Sequence, residues 1–167
     1  VDGNINTGNG DDYINVQGSV TGDINTGNGK DTVVADSSGT VNGSINTQSG
    51  DDVVTIENSA TVGTVNTGSG NDEVNNSGEI ANVTTGGGAD TFTNSGAVTG
   101  NVDLGAGDDT ATVTAGNINE IELGLGDDQI DVQAGSQVTT LRAENGNNTI
   151  TGEENISNVI DGAAPSA

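Results

Sequence analysis

Apolar residues recur along this chain in columns that repeat every 18 to 21 residues. Each repeat can be numbered from a position, defined here as zero, that holds Asp in seven repeats and Asn in the eighth. Position +2 is apolar in all eight repeats, and position +4 is apolar in five of them. Alternation with a period of two predicts a short strand with one buried face. The residues at +2 are Ile14, Val33, Val54, Val74, Phe92, Ala111, Ile130 and Ile150.

Two further apolar columns predict a second strand on the opposite side of each repeat. Position −7 is Ile, Val or Leu throughout, and position −10 or −11 is Val or Ile throughout. Variation in repeat length falls mostly between the two strands, in segments such as 36–40 and 58–60. A fixed period of this size is the signature of a solenoid, because one unit cannot bury its apolar face alone and stacks on its neighbours.

We therefore predict an all-β fold, a parallel β-solenoid (β-roll or β-helix) of about eight coils of 18–21 residues with two short strands per coil. The repeats span 1–152, and 153–167 are predicted to form a final half coil and a C-terminal tail. Position −5 is Thr in the first five coils and then becomes Leu104, Leu123 and Ala143, so this column, which we predict to point inward, becomes drier toward the C-terminal half. Asn at position −6 in the first four coils predicts an outward ladder of amides.

Composition conflicts with an ordinary globular core. The chain has 167 residues, of which 29% are hydrophobic and 1% aromatic, with a net charge of −23 and only Lys30 and Arg142 as cations. Such values favour disorder, whereas apolar residues held in register over eight repeats favour order. A fold that depends on a bound cation accounts for both. The acidic surface also excludes nucleic acid and anionic lipid as partners, because both require basic patches.

A Gly-x-Gly-x-Asp loop precedes the strand at +2 in most repeats. Two Gly around one residue allow positive φ in a tight loop with its carbonyls turned to one side. Position zero is Asp12, Asp31, Asp52, Asp72, Asp90, Asp109, Asp128 and Asn148. The Gly residues are Gly8, Gly27, Gly68, Gly86, Gly105 and Gly124 at −4, and Gly10, Gly29, Gly50, Gly70, Gly88, Gly107, Gly126 and Gly146 at −2. Stacking would line up one carboxylate per coil, about 4.8 Å apart, and these repel unless something cationic lies between them.

Calcium is the cation that this residue set predicts. Ca²⁺ takes six to eight oxygen ligands from carboxylates and backbone carbonyls, which the Asp and the Gly-rich loop supply. The absence of His and Cys disfavours zinc and copper, and Mg²⁺ prefers a tight octahedron with retained waters. Eight loops leave room for about seven ions in a file along one edge. The alternative is that each loop is only a turn in which the Asp caps local amides.

Other acids, including Glu57, Glu73, Glu120, Glu122, Glu153 and Glu154, follow no column and are expected to face solvent.

The loop resembles the RTX calcium β-roll, whose repeat is Gly-Gly-x-Gly-x-Asp-x-apolar-x. The likeness is greatest in 104–111, 123–130 and 85–92, and it covers about residues 1–152. It implies that each motif Asp bridges calcium with loop carbonyls of a neighbouring coil. This chain differs from RTX repeats in having one such loop per coil, so that calcium is expected along one edge only. The chain also resembles repeat segments of large bacterial adhesin and autotransporter passenger domains.

The expected function is structural: an extracellular calcium-binding solenoid, as a fibre, matrix, surface-layer or adhesin stalk, secreted or at a bacterial cell surface. The partner is expected to be another copy, stacked end to end into a filament, or the rest of a longer surface protein. No apolar stretch is long enough to span a bilayer. An enzyme is not expected, because the chain lacks His and Cys and has only Tyr13 and Phe92 as aromatic residues. The alternative function is an adhesin or ice-binding module that uses the variable turns or a flat face.

Overall fold

The computed structural model describes residues 1–162, which form two parallel sheets facing each other. Sheet A contains β1 (Ile5–Asn9), β3 (Ser19–Val20), β4 (Ile24–Asn28), β6 (Thr40–Asn46), β8 (Thr61–Ser69), β10 (Glu79–Gly87), β12 (Ala97–Val98), β13 (Asn101–Asp103), β15 (Gly116–Glu122), β17 (Ser136–Ala143) and β19 (Ile156–Asp161). Sheet B contains β2 (Tyr13–Val16), β5 (Thr32–Ala35), β7 (Val53–Ile56), β9 (Glu73–Asn76), β11 (Thr91–Asn94), β14 (Thr110–Val113), β16 (Gln129–Val132) and β18 (Thr149–Thr151). A 3-10 turn, Glu153–Asn155, precedes β19.

Each strand pairs in parallel with the equivalent strand of the next coil, in the register that the columns predict. Ile5 pairs with Ile24 and Ile24 with Ile45 at position −7. Val33 pairs with Val54 at position +2 in the same way. The predicted all-β parallel solenoid of about eight coils is therefore confirmed.

The core is a thin layer between the two sheets, filled from both sides by the apolar columns. Residues at +2 and +4 of sheet B meet those at −7 and −10 of sheet A, and the side chains in coils 2–7 are almost wholly buried. β-branched residues suit this arrangement because they pack well on a pleated surface. The single buried aromatic residue, Phe92, lies in this layer.

The columns at −10 and −7 lie in one sheet, as predicted, and in coils 3, 4, 5, 7 and 8 they belong to one continuous strand. One pairing contains a bulge: the register between β6 and β8 shifts between Val41 and Ser44. This extra residue explains why the first apolar column lies at −11 in coil 3 and at −10 in coil 4. Some length variation therefore lies inside sheet A rather than in the turn between the strands.

The C-terminal end of the described chain continues sheet A by one strand. β19 pairs with β17, with Val159 opposite Leu141. Residues 163–167, which include most of the predicted C-terminal tail, lie outside the described residues. No helix in the described part of the chain is long and apolar enough to span a membrane.

Candidate functional site

The Gly-x-Gly-x-Asp loops stack directly on one another along one edge between the sheets. Gly27 and Gly29 adopt φ of 105° and 141°, and equivalent Gly residues in the other coils are similar. A Cβ on Gly27 would overlap the carbonyl oxygen of Gly8 in the preceding coil, and a Cβ on Gly29 would overlap that of Gly10. The motif therefore requires Gly for two reasons, positive φ and the close approach of successive backbones.

The motif carboxylates form an inner ladder of hydrogen bonds to backbone. In each case the amide of position zero donates to Oδ1 of position zero in the following coil. The donor–acceptor distances are 2.9 Å from Asp12 to Asp31, 2.7 Å from Asp31 to Asp52, 2.8 Å from Asp52 to Asp72, Asp72 to Asp90 and Asp90 to Asp109, 2.9 Å from Asp109 to Asp128, and 2.8 Å from Asp128 to Asn148. All six Asp from coil 2 to coil 7 are only 1–2% exposed. The ladder places the column inside the solenoid edge, not on its surface.

A second, outer ladder runs in the opposite direction at position −1. Here the side chain of one coil accepts the amide of the next coil, as from Lys30 to Asp11 at 2.9 Å and from Asp127 to Asp108 at 2.9 Å. The ladder is interrupted where position −1 is Lys30 or Ala89, since neither side chain can accept a hydrogen bond. Lys30 instead donates to Asp51 at 2.6 Å as an exposed ion pair. Acids at −1 thus have a structural role that the sequence alone did not reveal.

The inner column keeps one oxygen of every carboxylate without a partner. Oδ2 of all seven motif Asp residues is buried and accepts no hydrogen bond, and Nδ2 of Asn148 likewise donates none. Burying a charged group without a compensating partner is costly. Seven such oxygens in one line are therefore the strongest chemical anomaly of the fold, and they call for a proton or a cation.

A column of buried threonines lies beside these carboxylates. Thr26, Thr47, Thr67 and Thr85 at position −5 are fully buried, which confirms the inward orientation expected from the sequence. Each hydroxyl donates to the carbonyl of position −5 in the next coil, for example from Thr47 to Thr67 at 3.2 Å. The predicted outward amide ladder at −6 is also present, with Asn25 donating to Asn6 at 2.8 Å and Asn46 to Asn25 at 2.9 Å.

Burial perturbs the titration of the motif carboxylates. Burial raises the pKa of Asp52 and of Asp72, and the hydrogen bonds that these carboxylates accept from the backbone amides of Asp31 and Asp52 offset part of this rise. Burial likewise raises the pKa of Asp128, and it raises the pKa of Asp109 to about 7. Position −5 in these two coils is Leu104 or Leu123, where the earlier coils have Thr.

Stability without divalent cations should decrease as pH rises. A carboxyl whose folded pKa is raised stabilises the fold fully below its ordinary value near 3.8 and loses that contribution as pH rises through the folded pKa, which is about 7 for Asp109. In chelator, the denaturant midpoint should therefore be lower at pH 8 than at pH 5. Asp109→Asn should flatten this dependence more than Asp108→Asn, which removes the same charge from the exposed outer ladder. A midpoint that stays constant or rises from pH 5 to pH 8 would contradict the burial of a charged column.

The loop carbonyls expected as ligands are partly engaged. The carbonyl of Gly27 accepts the amide of Ser49 at 3.2 Å, and that of Gly86 accepts the amide of Ala106 at 2.8 Å. A carbonyl oxygen has two lone pairs, so these bonds leave one for another partner. Within residues 1–162, no group of three or more acidic side chains forms a ready-made metal cluster. An ion on this edge would therefore need hydroxyl or carbonyl oxygens in addition to carboxylates.

The expectation that Glu122 follows no column was wrong. Glu122 occupies position −6, paired on one side with Asp103 and on the other with Arg142. Arg142 donates to Glu120 at 2.8 Å. Burial raises the pKa of Glu122, and the charges of Asp103 and Glu144 raise it further. The column was missed because Asn fills it in the first coils and acids fill it only later.

Comparison with protein-family models, with curated proteins and with solved structures gave no match.

Proposed function

We propose that the chain is an extracellular structural rod, a β-solenoid that folds around a file of calcium ions. The observation that carries the proposal is the line of seven buried carboxylates, each with one oxygen that accepts no hydrogen bond. One such Asp could be a turn former. Seven in register, about one strand spacing apart, repel one another in a poorly solvated edge.

The donor set fits a hard cation. Every candidate ligand is an oxygen: the carboxylates at position zero and the carbonyls of the loop glycines, as the RTX resemblance implies. Calcium accepts six to eight such ligands in flexible geometry, whereas zinc and copper favour the nitrogen and sulfur ligands that are absent here. Bound calcium would supply the positive charge that the column lacks.

The backbone and side chains of the solenoid position the carboxylates for the cation. The inner ladder fixes one oxygen of each carboxylate on a backbone amide, which holds the other oxygen in line with its neighbours. The outer ladder and the stacked glycines set the spacing of the coils. Because this arrangement exists only in the folded chain, cation binding and folding are coupled. A calcium-rich exterior would then switch an unfolded exported chain into a rod of about 40 Å.

The rod would serve as a stalk, matrix fibre, surface-layer element or adhesin segment, at a bacterial cell surface or secreted. Regular columns of small polar residues and the acidic surface favour a spacer over a recognition site. End-to-end joining of copies is the finer part of the proposal.

Circular dichroism with light scattering during a calcium titration of chelator-treated protein tests the proposal. β-structure should increase cooperatively with calcium but not with equimolar magnesium, and scattering should rise afterwards if rods join. Full β-structure in chelator at pH 8, unchanged by calcium, would contradict the calcium-dependent fold. A calcium-folded chain with constant scattering would contradict only the end-to-end joining.

Ligand or ice binding stays a less favoured prediction. The fully buried threonines at −5 cannot present hydroxyls to an external lattice. On the outer face of sheet B, the pairs Thr91 with Thr93 and Thr110 with Thr112 are flanked by Glu73 and Asp131 in the neighbouring coils. The hydroxyl array is therefore uninterrupted over only two coils.

A further inference from the structure

The last residue of the motif column, Asn148, is held in the same way as the Asp residues of coils 2–7. Its Oδ1 accepts the amide of Asp128 at 2.8 Å, and the carbonyl of Asp128 accepts the amide of Thr149 at 2.8 Å. The same two bonds join coils 3 and 4: the amide of Asp52 donates to Oδ1 of Asp72 at 2.8 Å, and the carbonyl of Asp52 accepts the next amide along the chain from Asp72 at 2.8 Å. Position zero of coil 8 therefore has the geometry of the inner ladder.

The bond from Asp128 fixes which atom of the Asn148 amide lies in the line of unpartnered oxygens. An amide nitrogen cannot accept a hydrogen bond, so the backbone N–H of Asp128 has to meet the oxygen. The nitrogen then takes the second place of the planar group, the place that Oδ2 takes in an Asp. Nδ2 is buried and donates no hydrogen bond, just as Oδ2 of the seven motif Asp residues accepts none. At coil 8 a donor has replaced an acceptor.

Coil 8 keeps the features that stack the coils and lacks only the charge. Gly146 has a φ of 139°, and a Cβ on it would overlap the carbonyl oxygen of Gly126 in the preceding coil. Strand β18 extends sheet B by pairing with β16. Because Asn serves the ladder as Asp does, stacking gives no reason for buried charge in the other seven coils. The two residue types differ in the second atom of the planar group.

The second atom decides what a gap between two coils can hold. Between two neighbouring Asp residues, both coils contribute an unpartnered carboxylate oxygen. Between Asp128 and Asn148, one coil contributes an NH₂ group, which carries partial positive charge and has no lone pair for a metal. A cation in this last gap would lose a charged ligand and be repelled by the donor.

We propose that Asn148 ends the cation file, so that calcium occupies only the gaps between the seven motif Asp residues, about six in number. On this proposal Asn148 is not a ligand, and the file is one ion shorter than eight stacked loops would allow. The inference rests on the proposed function and deepens it, because it limits the sites to coils 1–7 and makes coil 8 a cation-free end.

Calcium bound per chain, measured by equilibrium dialysis of the full chain refolded in calcium, tests the proposal. The wild-type chain should bind about six ions. Asn148→Asp should bind one ion more, because the last gap then has a carboxylate on each side. Asp128→Asn should bind one ion fewer, because the end of the file moves back by one coil. Asn145→Asp makes the same chemical change at an exposed position of coil 8 and should leave the number unchanged.

Chemical denaturation in chelator at pH 8 gives a second readout. Asn148→Asp should have a lower denaturant midpoint than the wild-type chain, because it adds a buried charge to the column with no cation beside it. Asn145→Asp should keep the wild-type midpoint, because its added charge is exposed to solvent. A midpoint of Asn148→Asp equal to that of Asn145→Asp would contradict the placement of the second atom in the buried line.

Two results would overturn the role of Asn148 while leaving the calcium rod intact. One is about seven ions bound by the wild-type chain, a number that requires no variant to fold. The other is a folded Asn148→Asp chain that binds no more calcium than Asn145→Asp. A wild-type chain that folds and binds no calcium would instead overturn the proposed function, and the end of the file with it.

Discussion

Gly27→Ala is expected to unfold the N-terminal coils, whereas Gly8→Ala should be tolerated. The two glycines occupy the same loop position with nearly the same φ, 105° and 109°. They differ in the neighbouring backbone that a Cβ would meet. A Cβ on Gly27 would overlap the backbone carbonyl of Gly8, whereas nothing lies within 4 Å of a Cβ on Gly8. Because a backbone atom in a stacked coil cannot move aside, the clash forces the coils apart.

Chemical denaturation of both variants measures the difference. Strain from positive φ alone should cost Gly8→Ala about 1–3 kcal/mol. Gly27→Ala carries the same strain plus the separation of two coils and should lose more than about 4 kcal/mol, the range reserved for severe lesions. Equal losses of unfolding free energy in the two variants would show that Gly is required for its positive φ and not for the close approach of successive backbones.

Asp72→Asn should raise stability in chelator and lower the stabilisation gained from calcium. Asn keeps an oxygen for the amide of Asp52, as Asn148 does for Asp128 at 2.8 Å. It also removes a buried charge from the column. We expect a gain of about 1–2 kcal/mol without calcium. With calcium the order should reverse, because one charged ligand has been lost.

Asp72→Ala distinguishes the contribution of the inner ladder's hydrogen bond from the contribution of the buried charge. This variant removes the charge and also leaves the amide of Asp52 without an acceptor, at a cost of about 1–3 kcal/mol. It should therefore be less stable than Asp72→Asn in chelator and in calcium. Asp51→Asn, which removes a charge from the exposed outer column, controls for the general effect of net charge. Equal stability of Asp72→Ala and Asp72→Asn would contradict the inner ladder.

The fold could be predicted closely from the sequence because each column of residues corresponds to one structural position in every coil. Apolar residues at +2 and −7 recur in every coil, and parallel stacking pairs each of them only with the same position in the adjacent coils. The bulge near Val41 could not be located from the sequence, because a one-residue insertion within a strand has the same effect on repeat length as an insertion in a turn. Periodicity predicts which residues stack, but not where an extra residue is accommodated.

The candidate site was predicted only in part. The column of Asp and the stacked Gly were evident from spacing. The two opposed ladders were not, because the hydrogen bond that Asp11 or Asp31 accepts from an amide one coil away depends on loop geometry that composition does not encode. Thr47 and Thr67 were identified from the sequence as inward-pointing, and the structure confirms that they are buried.

An anomalous difference map from crystals grown in calcium tests the central claim most directly. Peaks should lie in a line inside the edge, each within bonding distance of a motif Oδ2. Calcium bonds to oxygen of about 2.3–2.6 Å would identify the ligands. A well-ordered solenoid with no peak along this line, or with calcium only on the exposed carboxylates of Asp51, Asp108 and Asp127, would contradict the account.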